Sequence, residues 1–138
     1  MSDRDLVEKR LAHVVDAVEL LRRHADLGAV EHDPVQRGFV QHTLQTAIQG
    51  MLDAAATIVS AKRLGEPASN AGLFDHLASA GWIAVGRAAT YRKIVAFRNI
   101  LVHQYLVVDP RVVRAVVEHH LDDLLGFVRE VRSKLPEL

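Results

Sequence analysis

Apolar positions recur with the helical period along most of this chain. Leu6, Leu11, Val14, Val18 and Leu21 form one stripe, with Arg10, Asp16, Glu19, Arg22 and Arg23 elsewhere around the same turns. Ser2 suits the cap of this first helix, with Asp5 reaching back from three positions on, and Leu27-Gly28 is the expected stop. Asp33-Pro34 opens a second helix, Asp as cap and Pro at the first helical position. Its stripe is Val40, Leu44, Ala47, Met51, Ala55 and Ile58, and it runs to about Arg63. Gly65-Glu66-Pro67-Ala68-Ser69-Asn70 is a loop by its turn formers. A short helix from about Ala71 to Ala80 follows, with Asn70 as cap and Gly81 as its end.

A fourth helix is predicted from Ile83 to Leu106. Asp109-Pro110 then repeats the Asp-Pro start, and Val112, Val113, Val116, Val117, Leu121, Leu124, Leu125, Val128 and Val131 supply one last apolar face. The β-branched pairs Val107-Val108 and Val112-Val113 would suit a strand, but no alternation persists around them. The pattern therefore predicts an all-α protein. Its architecture is an up-and-down bundle of four long helices plus a short one, in a single domain over residues 1–138.

Composition narrows the function classes. Seventeen basic and seventeen acidic residues cancel, so the chain is no polybasic binder that grips nucleic acid over a broad face. Only 5% of residues are aromatic, too few for the stacking platforms of single-strand binders. Cysteine is absent, which removes disulfides and thiolate metal sites. The charged start Met1-Ser2-Asp3-Arg4-Asp5 has no apolar signal core, and no apolar run reaches bilayer length. A cytoplasmic protein without membrane contact is expected.

The residues richest in chemistry are Arg98-Asn99-Ile100-Leu101-Val102-His103-Gln104-Tyr105. Arginine offers a permanent planar charge suited to phosphate, and histidine exchanges protons near neutrality. Cleavage of RNA without metal needs a group to take the 2′-hydroxyl proton, one to protonate the leaving oxygen, and one to stabilise the phosphoryl charge. Histidine suits the first two roles and arginine the third. Asn99 can orient His103 or bond a phosphate oxygen. On a helix Arg98 and His103 lie about 140° apart, so one copy makes a sparse site. Two copies meeting across a symmetry axis would gather two arginines and two histidines, which favours a homodimer or a larger assembly.

A second polar series accompanies the motif. Gln41, Gln45, Gln49 and Asp53 repeat every four residues beside the second helix's stripe. Such a strip is either the ordinary boundary of a core or the wall of a site. In the second case Asp53 faces the motif helix and orients Arg98 or His103, with Gln49 one turn away.

The segment Phe97-Arg98-Asn99-Ile100-Leu101-Val102-His103-Gln104-Tyr105 resembles the signature of the HEPN superfamily. It is most similar to the HepT-like toxins, with their pattern of Arg, four residues, His, one residue, Tyr. All three fixed positions match, and the upstream Gln49-x-x-x-Asp53 and following Asp109 also resemble the family. The resemblance implies an all-helical homodimer with a composite interface site: a metal-independent endoribonuclease toxin that uses no cofactor. Its partners would be RNA and a minimal nucleotidyltransferase antitoxin, which silences it by transferring AMP to Tyr105. Phosphates added there would fill the anion site and repel RNA. The Pro110 after the motif helix and the Ala-rich stretch from Gly81-Trp82 to Thr90 depart from the family's usual course. A rival reading keeps the fold but makes the dimer a non-catalytic module that binds a nucleotide or partner protein through the same groove.

Other residues carry less. His119-His120 diverge by about 100° on a helix, unsuited to one metal, and no zinc site is expected from His13, His24, His32, His42 or His76. Trp82 suits an anchor at a helix start. Arg87, Arg92 and Lys93 either extend a basic track toward Arg98 or are simply solvated.

Overall fold

The computed structural model describes residues 1–103 and 108–138. Among the described residues there are six α-helices and no strand. They are α1 (Asp3–His24), α2 (Pro34–Ala61), α3 (Gly72–Ser79), α4 (Ala88–His103), α5 (Pro110–His119) and α6 (Leu121–Lys134). One hydrophobic core runs through all of them, from Val7 to Leu135.

The start signals act as their chemistry requires. Ser2 Oγ accepts from the Asp5 amide at 3.1 Å and the Asp5 carboxylate accepts from the Ser2 amide at 3.3 Å, a complete capping box. Asp33 and Asp109 cap α2 and α5 through the amides two residues on, each at 2.9 Å, with proline in the first helical turn. The stripe on α2 is fully buried: Val40, Leu44, Ala47, Met51, Ala55 and Ile58 all have 0% exposure.

Gly50 sets the spacing of the two longest helices. A Cβ there would lie 3.0 Å from Val14 Cγ2 and 3.3 Å from the Arg10 carbonyl, so α1 and α2 approach through a missing side chain. Pairing then fixes the directions. Arg22 meets Asp122 at 2.6 Å and Arg132 meets Glu8 at 2.7 Å, which sets α6 antiparallel to α1. Arg87 reaches Glu130 at 3.3 Å before α4 begins, Arg98 reaches Gln49 in mid-α2, and Arg114 lies 3.8 Å from Glu31 just before α2. The chain thus climbs α4 antiparallel to α2 and returns through α5 and α6.

Four expectations need correction. The first helix stops at His24 rather than at Leu27-Gly28, because Ala25 turns extended and the following turn buries Val30 completely. Asn70 is not the cap of α3; Ala71 holds that position and no side chain bonds there. The motif helix starts at Ala88, not Ile83. After Gly81, in the left-handed region at φ +80°, Trp82 and Ile83 enter the core and the Ala84 amide donates to Glu130 Oε2 at 2.6 Å. A 3-10 turn over Val85–Arg87 then leads into α4. Finally, the last apolar face is two helices. His120, at φ −122° and ψ 1°, breaks the run, and its Nδ1 pairs with Asp123 Oδ2 at 2.9 Å. The break lets Val113 and Val117 on one side and Leu121, Leu124 and Val128 on the other all reach the core.

Candidate functional site

The motif helix α4 buries Ile94, Val95, Phe97 and Leu101, and this face determines where the polar residues go. Arg98 and Asn99 are left half-buried at its edge, Ile100 is 46% exposed, and His103 is exposed in the last turn. Along the axis Arg98 and His103 differ by about 7.5 Å of rise.

Arg98 is held in place by neighbours on two helices. Its Nη2 donates to Gln49 Oε1 on α2, and its Nη1 donates to Asn99 Oδ1 at 3.2 Å. Gln49 in turn donates from Nε2 to Asp53 Oδ1 at 2.8 Å. An amide has one acceptor end and one donor end. Asp53 takes the donor end, so the oxygen must face the guanidinium. Asp53 therefore acts on Arg98 through Gln49. Arg98 Nε is buried without a hydrogen-bond partner among the described residues. A guanidinium at the half-buried edge of a helix is chemically suited to an anion.

The expected residues divide as follows. Arg98, Asn99, Gln49 and Asp53 form one bonded cluster. His103 lies one and a half turns beyond it on the same helix. Tyr105, the expected modification residue, lies outside the described residues, as does the helix end expected at Leu106.

The basic track toward Arg98 is not continuous. Arg92 is paired with Asp75 of α3, and only Lys93 remains exposed. Arg87 belongs to another cluster, one that the sequence reading missed. The buried Tyr91 hydroxyl donates to Glu130 Oε1 and accepts from Arg87 Nε at 2.9 Å, while Arg87 also lies 3.4 Å from Asp123. Burial, and then the bond to Glu130, push the Tyr91 phenol above the usual tyrosine range. The Tyr91 hydrogen bond likewise raises the Arg87 guanidinium. Tyr91 also packs edge-on against Phe127, with centroids 5.5 Å apart. This cluster clips the start of α4 to α6 and so sets the level at which Arg98 meets Gln49. The four-residue spacing of Arg87 and Tyr91 was its one local signal; Glu130 lies 39 positions further on.

Among the described residues no three His, Asp or Glu side chains gather in a group able to hold a metal ion, and no helix is long and apolar enough to cross a membrane.

Known proteins resemble this chain in sequence and in fold. A profile of the family described as Ribonuclease HepT-like matches residues 11–131. The chain is 26% identical over 131 residues to the mRNA nuclease HepT of Shewanella oneidensis, covering 94% of this chain and 98% of that protein. The tri-AMPylated HEPN toxin of Shewanella oneidensis, solved in complex with MNT antitoxin, superposes with a TM-score of 0.85 at 26% identity, covering 96% of this chain and 99% of that one. The fold is also that of YutE, a cytosolic protein of unknown function from Bacillus subtilis, with a TM-score of 0.87 at 22% identity over 98% of this chain and 92% of that one.

Proposed function

The chain belongs to the HepT-like ribonuclease family, and we propose that it is a metal-independent endoribonuclease. Its biological role is that of the toxin of a pair with a minimal nucleotidyltransferase antitoxin, acting in the cytoplasm. The observation that carries this reading is the presentation of Arg98: fixed through Gln49 and Asn99 at the half-buried edge of α4, with an exposed His103 on the same helix.

The chemistry follows from those groups. Two copies of the chain, each a single domain, pair so that both α4 helices border one groove. Arg98 holds the scissile phosphate and stabilises the charge that builds on its oxygens. Asn99 and Gln49 keep the guanidinium in position, and Asp53 keeps Gln49 turned the right way. A neutral His103 imidazole takes the proton of the ribose 2′-hydroxyl as that oxygen attacks phosphorus. The bond from phosphorus to the 5′-oxygen breaks, and this oxygen takes a proton from a charged His103 of the partner subunit. The products are a 2′,3′-cyclic phosphate and a 5′-hydroxyl. No metal ion or cofactor enters any step.

Silencing acts on Tyr105. Its hydroxyl attacks the α-phosphorus of ATP on the antitoxin, AMP is transferred and pyrophosphate leaves. The added phosphate then competes with RNA for Arg98. The AMPylated relative bound to its antitoxin supports this part of the reading.

Cleavage of RNA by the purified chain tests it, with Arg98→Ala and His103→Ala alongside. Each variant should lose about 10²- to 10⁴-fold in rate while keeping its helical circular dichroism. Two folded variants that cut as fast as the parent would overturn the assignment.

A further inference from the structure

A second face of α4 borders a cavity that the cleavage chemistry does not use. It measures about 270 Å³ and lies between α4, α5 and the break at His120. Ile94 and Phe97 form its α4 wall, and Val112 and Val116 its α5 wall. Thr90 and Lys93 line it too, three residues apart and so neighbours on the helix surface. From Thr90 to Phe97 the lining spans about 10 Å of axis, polar at the start and apolar beyond. His120 completes the lining, its ring fixed by the bond from Nδ1 to Asp123 Oδ2 at 2.9 Å.

The lining selects the chemistry of the ligand. Lys93 is exposed; Arg92, just before it, is paired with Asp75, but Lys93 meets no carboxylate among the described residues. Thr43, Thr46 and Thr57 donate their hydroxyls to carbonyls of the preceding turn, whereas Thr90 makes no such bond among the described residues. Among the described residues no acidic side chain lines the cavity. An ammonium and a hydroxyl donor beside an apolar chamber match an anionic head on an apolar body. The space is that of about nine waters, which suits a small molecule. We propose that this cavity binds a short-chain aliphatic carboxylate. Its chain lies among Ile94, Phe97, Val112 and Val116, and its carboxylate accepts from Lys93 Nζ and Thr90 Oγ1. The site does not include Arg98 and does not depend on the ribonuclease reading.

Titration of the full chain with butanoate, hexanoate, 1-hexanol and hexylammonium, followed by amide chemical shifts, tests this. Hexanoate should bind with shifts concentrated at Thr90, Ile94, Phe97 and Val116. It should bind more tightly than butanoate, by about two- to fourfold per added methylene. It should exceed hexanol by about two- to fivefold, the worth of an exposed charge pair, and salt should narrow that gap. Hexylammonium should bind weakest. Lys93→Gln should remove the advantage over hexanol. Val112→Trp, at a wall position that is 47% exposed, should fill the cavity and abolish binding of every probe. Thermal melting without probe shows whether both variants are folded. Equal binding of the three hexyl compounds, or hexanoate binding that survives Val112→Trp, would overturn the proposal. So would a parent that binds none of them; if Val112→Trp then also splits a dimer in sedimentation, the walls belong to an interface between copies of the chain.

Discussion

Gln49 turns its carbonyl to Arg98 because its amide nitrogen is committed to Asp53, 2.8 Å away. Gln49→Leu removes the bridge and leaves an Arg98 donor unpaired, so cleavage should fall by about 10- to 100-fold, the loss expected for a hydrogen bond to a charged group. Asp53→Asn frees the Gln49 amide to flip and should cost less. Steady-state cleavage beside melting curves checks both; a folded Gln49→Leu with parental kcat/KM would show that Arg98 needs no such support.

Tyr91 should be the tyrosine that does not titrate in the folded protein. Its phenol is raised above the usual range by burial and by Glu130, so the unfolded chain loses this proton first as pH rises. The stability tied to it is complete below about pH 10 and declines above that, toward the folded-state value. In a Tyr105→Phe background, absorbance at the phenolate band should rise only together with unfolding. A phenolate signal from intact protein near pH 10 would contradict the buried hydrogen bond.

Removing the Tyr91 hydroxyl leaves Arg87 and Glu130 each short of a partner. Tyr91→Phe should destabilise the fold by about 1–3 kcal/mol in chemical denaturation. Cleavage should fall too, through a looser α4. A stability change under a few tenths would mean that the cluster does not anchor the helix.

Gly50 tests the α1–α2 packing, since a side chain there meets Val14 and the Arg10 backbone. Gly50→Val should cost about 1–3 kcal/mol by overpacking, and Gly50→Ala less, because alanine's helix propensity offsets part of the clash. Urea denaturation of the two variants gives the comparison. Equal stability for both would show that the helices can separate freely.

On the proposed mechanism, Tyr105→Phe removes the acceptor for AMP and nothing that the cleavage chemistry uses. Incubated with the nucleotidyltransferase partner and ATP, the parent should gain mass in AMP units and lose activity, while the variant should do neither. Mass spectrometry of both decides it. AMP found on the phenylalanine variant would move the modification to another residue.

The helices were legible where one period and one cap governed them. The α2 stripe is buried at every position, and the three caps at Ser2, Asp33 and Asp109 all form. The break at His120 was not, because Val113, Val117, Leu121 and Leu124 keep a helical spacing across it and the same pattern serves one helix or two. The start of α4 was hidden for a similar reason: Trp82 and Ile83 are as apolar in a buried loop as in a helix. In the site, the spacing of Gln49 and Asp53 marked a pair, yet only tertiary packing shows that, of the two, Gln49 is the one bonded to Arg98. Tyr91 lies in the core, and its bond to Glu130 depends on a tertiary approach that no local pattern encodes.

The most direct test of the central claim is cleavage of total cellular RNA by the purified chain in excess EDTA, with His103→Ala in parallel and the ends analysed. The account predicts cutting by the parent only, leaving 2′,3′-cyclic phosphate and 5′-hydroxyl ends. Cutting that EDTA abolishes, or no cutting by a parent whose Tyr105 mass spectrometry finds unmodified, would contradict it.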